Sequence, residues 1–520
     1  MSNNGPTNIS LTKKGSQDWT RLLLGIDSRT VITAGIDGSI YSAGYGEIRN
    51  YNADGTKNWT RTINSEVNAV TTGLDGSIYI AGHKREGFID GSIYEWYGSI
   101  LKKSGDFDGQ PIGVNGDYWD WVNSRGAFIN KLNPDGSNVW ISLLGEDVVE
   151  NDPFNPSSNS EDAATALCTG IDGSIYIAGY TYGDLEGQTN SGGPHDKNTD
   201  AFISKLNPDG SKAWTRLVGA YGSERAEAVT TGLDGSIYIA GHTSRNGDLD
   251  GHTNSGNTDV FISKFNPDGF KIWTRLLGGK YSDEVSAITT GRDGSIYVSG
   301  TTSSQELDGQ SNPDSRIYTG YMVSSAFISK FNADSSIDWT RFVGSDINSA
   351  LPVTNESDGS IYISGTRGGQ VPLEIGDYKD LYISKLNSDG SKEWIVDSDL
   401  NLDPTDPLSV FGITSSADGS IYITGSKSAE IGVHKTTSGL DAFITKFNDN
   451  ISAINENINA GTLIGTLSTS DQDVSDTHTY RLVSGDGDTD NSFFTIDDNQ
   501  LKINYSPDYE TKSSYKIRIK

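Results

Sequence analysis

The 520 residues carry 69 acidic against 40 basic side chains, a net charge of -29, with 61 glycines and 10% aromatics. So acidic a surface repels phosphate backbones and argues against nucleic-acid binding, while the aromatics supply core that a disordered chain lacks. The single cysteine, Cys168, excludes an intramolecular disulfide framework, and no stretch is long and apolar enough to span a bilayer.

The opening MSNNGPTNISL has no basic run followed by an apolar one, so no Sec-type signal peptide is expected there. The first element is QDWTRLLLG, Gln17 to Gly25, a strand-like run around Trp19. After it DGSIY begins eight times, at Asp37, Asp75, Asp90, Asp172, Asp234, Asp293, Asp358 and Asp418. Seven copies share one context, as in AVTTGLDGSIYIAGHT, Ala228 to Thr243, and then VFISKFNPDGFKIWTRLLG, Val260 to Gly278. Each unit reads as four strands. Strand one is AVTT, and Asp-Gly predicts a two-residue hairpin with both turn residues at positive φ. Strand two is SIYIAG; Ile237 and Ile239 point one way, Tyr238 and Ala240 the other, so both faces should be covered. A variable loop precedes strand three, AFISKL; NPDG predicts a type I turn into strand four, KAWTRLL.

Four hairpin-linked strands recurring every sixty-odd residues are the pattern of a propeller blade. The strand-four tryptophan also occurs seven times, at Trp19, Trp59, Trp140, Trp214, Trp273, Trp339 and Trp394. Trp19 precedes the first DGSIY, and the last unit, Phe411 to Phe447, has no tryptophan strand after it. The expected fold is therefore all-β: a seven-bladed propeller over 9–448, its last blade closed by the N-terminal strand, which removes two sheet edges. The repeated tryptophan is expected to fill space between blades. Cys168, in AATALCTG, is expected to be a small core residue.

The insertion from His83 to Gly126 holds Trp96, Trp119 and Trp121, an aromatic set that would suit a carbohydrate ligand or pack into a small hairpin of its own. The acidic loops GDLEGQTNSG at Gly183, GDLDGHTNSG at Gly247, QELDGQSNPD at Gln305 and GDFDGQ at Gly105 offer oxygens such as those of Asp248, Asp250 and Asn254 to calcium, or form Asx-turns without an ion. The six histidines show no HExxH spacing, and no GxSxG elbow is present. No enzymatic activity is expected.

The units AFISKLNPDGSKAWTRLVG, Ala201 to Gly219, and AVTTGLDGSIYIAGHT resemble the bacterial SBBP β-propeller repeat. That resemblance implies a surface or secreted repeat protein without an assigned reaction. The tryptophan strand after a glycine also looks like the docking repeat of quinoprotein dehydrogenases, but no residues place a cofactor pocket.

The repeat ends at Phe447. Strands are expected at Thr462–Ser468, His478–Val483, Phe493–Ile496, Leu501–Tyr505 and Tyr515–Ile519, a partial Ig-like sandwich over 449–520. NDN at Asn448, NEN at Asn455, DQD at Asp471 and DYE at Asp508 make this segment similar to a cadherin repeat. The resemblance implies calcium ligands at Glu456, Asp508 and Glu510 at one end, and at Asp449, Asp471 and Asp473 at the other. It also implies that the domain stops one strand short, leaving an exposed edge strand open to pairing or aggregation, with further cadherin-like domains as partners if the natural chain is longer. GDGDTDNSFFTID places Asp486, Asp488 and Asp490 as an EF-hand loop would, but has Asn491 where that loop needs glycine.

The leading expectation is a non-enzymatic extracellular or cell-surface scaffold or adhesion protein, exported by a route other than Sec. Its calcium would sit in the tail, and its partners would be surface proteins or glycans. A lectin-like propeller and a hydrolase or quinoprotein-like enzyme with a central-channel site are the alternatives.

Overall fold

The structure is a computed structural model. It describes residues 7–11, 16–23, 30–83, 95–97, 100–102, 127–144, 162–191, 198–244, 248–312, 317–318, 321–322, 324–345, 353–355, 359–367, 380–397, 408–416, 419–427, 441–448, 459–466, 479–484, 490–498, 500–506 and 515–519.

The fold is all-β and propeller-like, and each repeat is built as an antiparallel meander. In one of them the strands Glu224–Thr231, Ile237–Ser244, Thr258–Phe265 and Lys271–Leu277 pair in sequence order. Ile237, Tyr238, Ile239 and Ala240 are all buried, as a strand sandwiched on both faces requires.

The Asp-Gly hairpin departs from the expected two-residue turn. Only the glycine has positive φ, +78° at Gly235. The Gly235 N–H donates to the Gly232 carbonyl at 3.0 Å, and the Gly232 N–H to the Ser236 carbonyl at 2.8 Å. This is a type I turn followed by a left-handed glycine. The side chain explains the choice: Asp234 accepts the Ser236 N–H at 2.9 Å and the Ser236 hydroxyl at 2.8 Å, which holds the aspartate in a right-handed conformation. NPDG uses the same construction, with Gly269 N–H on the Asn266 carbonyl at 2.9 Å.

Among the described residues the propeller has six sheets, not the expected seven blades: five of four strands and one of six. The six-stranded sheet holds the first two repeats together. Its strands Ile40–Tyr51 and Lys57–Thr72 are long because the first repeat has only a tight bend at Gly46 (φ +75°) where others have a long loop. Lys57–Thr72 then runs from the first repeat's fourth strand into the second repeat's first without a break.

The N-terminal strand Ser16–Leu23 lies beside Asp441–Asn448 in the sheet of the last repeat. The Thr445 hydroxyl donates to the Trp19 carbonyl at 3.2 Å and accepts from the Thr20 hydroxyl at 2.9 Å. That sheet packs on the first repeat, where Leu23, Tyr422, Ala442 and Ile444 share a core with Ile32, Ile40 and Tyr51. Innermost strands are also joined in series. The hydroxyls of Thr72, Thr169, Thr231 and Thr290 donate to the carbonyls of Ala34, Thr72, Thr169 and Thr231 at 2.8–3.3 Å.

A second compact unit takes Met1–Asp18, Gly419–Ile421 and Lys446–Lys520, while Trp19–Asp418 and Tyr422–Thr445 form the first. In the second unit Leu463–Thr466, Gln500–Ile503 and Phe494–Asp497 form one sheet. Its core gathers Phe494, Leu501, Ile503 and Ile517. Residues 479–484 form no strand, in contrast to the expectation for His478–Val483. The described strands here make a three-stranded and a two-stranded sheet, which is short of an Ig-like sandwich. The edge expected to be exposed is covered. Thr7–Leu11 pairs antiparallel with Tyr515–Ile519, in register from Thr7 with Ile519 to Leu11 with Tyr515. An unpaired row of backbone donors and acceptors recruits a strand, and the chain's own N-terminal segment supplies one.

Candidate functional site

The six expected calcium ligands, Asp449, Glu456, Asp471, Asp473, Asp508 and Glu510, lie outside the described residues, as do Trp119 and Trp121. Trp96 lies in a small hairpin in which Glu95–Tyr97 pairs with Ile100–Lys102. Asp486 and Asp488 also fall outside the described residues, while Asp490 is buried beside the short 3-10 turn Asn491–Phe493. Among the described residues no group of three or more His, Cys, Asp or Glu converges as metal ligands would.

The acidic loop at Gly105 lies outside the described residues; those around Glu186, Asp250 and Asp308 are hairpins folded onto their own sheets. Asp250, at φ +52°, ion-pairs with Lys271 at 2.6 Å. Glu186 pairs with Lys212, and Asp308 accepts from the Thr340 hydroxyl at 3.5 Å. These carboxylates therefore fasten the loop to strand four, as a positive-φ acid beside a glycine in a tight turn can.

The repeated tryptophans join one repeat to the next. The Nε1–H of Trp19, Trp59, Trp140, Trp214, Trp273 and Trp339 donates to a carbonyl in the following repeat's strand-three turn, at Ala53, Pro134, Pro208, Pro267, Ala333 and Ser388. The indoles of Trp19, Trp59, Trp140, Trp214 and Trp339 lie against the left-handed glycine of that turn. At Gly269, φ +80°, a Cβ would come 2.7 Å from the Trp214 ring. One repeat breaks the pattern: Ser335 holds φ +75° where the others have glycine. Left-handed backbone costs a non-glycine residue about 1 kcal/mol. Ser335→Gly is therefore expected to stabilise the protein by about 1 kcal/mol, read from the urea midpoint; an unchanged or lower midpoint would refute the strain.

The end of the sheets carrying the DGSIY turns presents a repeated side-chain stack. Lys131, Lys205, Lys264 and Lys330 each lie 5.2–5.8 Å over the ring of Tyr79, Tyr176, Tyr238 or Tyr297. Each tyrosine ring in turn sits 6.1–6.2 Å from the tryptophan of its own repeat. The same lysines pair with Asp75, Asp172, Asp234 and Asp293 at 3.1–3.7 Å. Burial works against charge on Asp234, but the Ser236 N–H and hydroxyl and the Lys264 ammonium outweigh it and hold the carboxyl below its usual range. The tips of four DGSIY hairpins are apolar and exposed: Ile36 64%, Leu74 67%, Ile171 59% and Leu233 67%. A crevice of about 220 Å³ lies between two neighbouring tips, lined by Ile171, Asp172, Tyr176, Asp234 and Pro267.

Where strand three begins and strand four ends, pairs of buried carboxylates clamp the chain between repeats. Asp259 lies against Gly278, and Asp283 of the next repeat accepts the Gly279 N–H at 2.7 Å. Asp200 lies against Gly219, and Glu224 accepts the Ala220 N–H at 2.8 Å. Burial, with the Asp259 carboxylate adding to it, pushes Asp283 up to about 6 from its ordinary 3.8. The folded state therefore binds this proton more tightly than the unfolded chain. The stability from this group is complete below the ordinary value and is lost as pH rises through the folded one. Asp283→Asn keeps an acceptor for Gly279 and is expected to melt like the parent near pH 3 and to exceed it by on the order of 2 kcal/mol near pH 7. A gain equal at both pH values would show that the charge is not the cause.

Sequence reading missed these clamps because their two acids come from different repeats. The signal was present as an acid opening strand one, as in SERAEAV and SDEVSAI, and TD opening strand three. His242 sits in the same layer, and burial, with Arg225 nearby, lowers it to about 4. Cys168 is half-buried against the next repeat's core, where burial raises its thiol.

Residues 272–308 match the beta-propeller repeat family SBBP. Regulatory protein FlaEY of Caulobacter vibrioides is 25% identical over 237 residues, 43% of this chain and 24% of that protein. An uncharacterized WD repeat-containing protein of Acanthamoeba polyphaga mimivirus is 33% identical over 89 residues, 15% of this chain and 6% of that one. The matches thus span a quarter or less of these curated relatives. Among solved structures, the Neurospora crassa Pan2 WD40 domain aligns at 8% identity and TM-score 0.43, covering 84% of this chain and 97% of that one. BBS1N in its complex with ARL6DN aligns at 9% and 0.45, covering 84% and 98%.

Proposed function

We propose that this chain is a non-catalytic scaffold whose propeller presents repeated turns to a binding partner. The observation that supports it is the use made of the repeat's polar side chains. The aspartate caps its serine, the lysine lies over its tyrosine, the indole N–H reaches the next turn, and the threonine hydroxyl reaches the neighbouring inner strand. Each of these contacts stiffens the ring or joins repeats, and a rigid scaffold leaves specificity to its exposed tips and loops. The name of the Caulobacter relative, a regulatory protein, agrees with a role exercised by binding.

The reading includes an extracellular or cell-surface location and a tail stiffened by calcium through Asp449, Glu456, Asp471, Asp473, Asp508 and Glu510. Its support is the order of the four acidic motifs in the sequence and the preference of a hard cation for carboxylate oxygens. Calcium is expected to raise the melting temperature of the full chain relative to EDTA and to protect residues 449–520 from protease, with both effects lost in Glu510→Ala. Identical melting and cleavage with and without calcium would remove calcium from the proposal. Turnover of a glycoside or alcohol substrate by the intact chain would overturn the scaffold reading itself.

A further inference from the structure

We infer that the turn face of the propeller is a docking surface for a basic polypeptide segment carrying aliphatic side chains. This rests on the scaffold reading and names the partner's chemistry.

The tips Ile36, Leu74, Ile171 and Leu233 occupy the same position in four repeats, just before the Asp-Gly, and each is more than half exposed. Nothing in the hairpin requires an apolar residue there; the corresponding residue of the next repeat is Arg292. What sets these aliphatic side chains apart from scattered exposed residues is that they recur at one hairpin position, each directly before an aspartate. The crevice of about 220 Å³ between the Ile171 hairpin and the next repeat's Asp234 and Pro267 is smaller than the roughly 300–1,000 Å³ usual for a free small-molecule ligand. It suits one inserted side chain of a longer chain.

The charge arrangement selects the sign of the partner. Asp75, Asp172, Asp234 and Asp293 have side chains 54–62% exposed, whereas the lysines paired with them are only 11–13% exposed. The pairs are thus layered, with oxygens outward and ammonium groups beneath, over the tyrosine rings. A second series of exposed acids, Asp54, Asp135, Asp209, Asp334 and Asp389, comes from the strand-three turns. Hydrogen bonds from the hydroxyl and N–H of Thr56, Ser137, Ser211, Ser336 and Ser391 keep these carboxyls below their usual range. The two turns of one repeat are neighbours: a Cβ at Gly235 would be 3.4 Å from Pro267. These outward carboxylates attract cations and disfavour a second copy of the same face, with Arg292 the basic exception at the tip position. Lysine or arginine flanking a leucine-like side chain satisfies both the acids and the crevice.

The test uses the full chain and three labelled synthetic peptides, read by fluorescence anisotropy: alternating Lys and Leu, alternating Lys and Ser, and alternating Glu and Leu. The Lys/Leu peptide is expected to bind, to weaken as salt is raised, and to bind at least about tenfold more tightly than either other peptide. The double variant Ile171→Ser, Leu233→Ser should lose about tenfold in affinity or more. Tyr221→Ser, an exposed residue on the loop after strand four, should leave it unchanged. Equal binding of the Lys/Ser peptide, full affinity in the double variant, or no binding of the Lys/Leu peptide would each overturn the inference. So would a self-association, followed by sedimentation, that the double variant abolishes. Loss of affinity in Tyr221→Ser alone would move the surface to the opposite loops, rejecting this inference while leaving the scaffold reading intact.

Discussion

A chain beginning at residue 24 is expected to lose the closed propeller. Trp19 carries an Nε1–H bond to the Ala53 carbonyl at 3.2 Å, a ring contact with Tyr422 at 6.0 Å and the packing surface for Gly55, all of which vanish. Leu23 is fully buried in the core shared by the last sheet and the first repeat. Removing the buried leucine costs about 2–5 kcal/mol, the half-buried Trp19 indole takes its packing and hydrogen bond with it, and the loss of a whole strand adds its ladder of backbone bonds. The Asp441–Asn448 strand would then become an edge prone to recruit other chains. The expected readout is a lower melting transition, faster proteolysis of the first and last repeats, and aggregation. A synthetic peptide of residues 16–24 should restore the transition when added in trans. A chain beginning at residue 12 is the informative partner: it keeps Ser16–Leu23 but lacks Thr7–Leu11. It should melt with an intact propeller while the Tyr515–Ile519 strand loses its hydrogen-exchange protection. Normal melting of the shorter chain would show that the ring does not depend on its N-terminal strand.

Gly241→Ala is expected to disturb its repeat strongly. The preceding strand carries a bulge between Ala226 and Ala228, which brings the Arg225 carbonyl over Gly241. A Cβ there would lie 2.0 Å from that oxygen and 2.7 Å from the Phe261 ring. The first obstacle is backbone in a paired strand and the second is a fully buried ring, so neither can yield cheaply. Overpacking of this kind costs about 1–3 kcal/mol and more where backbone must move. Gly251→Ala is the control. Its φ is +81° and open space surrounds it, so it should cost only the left-handed backbone term of about 1 kcal/mol. Denaturant midpoints for the two variants decide the point; equal losses would mean that the bulge relaxes around the new methyl.

The turns show how local chemistry was legible before the fold was known. NPDGS, as at Asn207, and GLDGS contain the glycine that each left-handed position needs, and the aspartate and serine that cap it, within five residues. Only the turn type was misjudged, because the Asp234–Ser236 bonds favour a right-handed aspartate over the two-residue hairpin. Ring closure was also legible, since a tryptophan strand before the first repeat and none after the last leave one place for it. Its confirmation is the Thr445–Trp19 bond.

What the sequence by itself determined was therefore the short-period pattern within the repeats: the strands, the places of the turns, the covered faces of strand two, and the offset that closes the ring. Tertiary structure alone decided how repeats meet. The shortness of one connection merged two repeats into a single sheet. The pairing of Thr7–Leu11 with Tyr515–Ile519 joined segments five hundred residues apart, and the Asp259–Asp283 clamp joined acids from different repeats. The physical reason is common to all three. Backbone hydrogen bonds and turn geometry depend on neighbours in sequence, whereas edge pairing, desolvation and like-charge proximity depend on which surfaces the closed ring brings together.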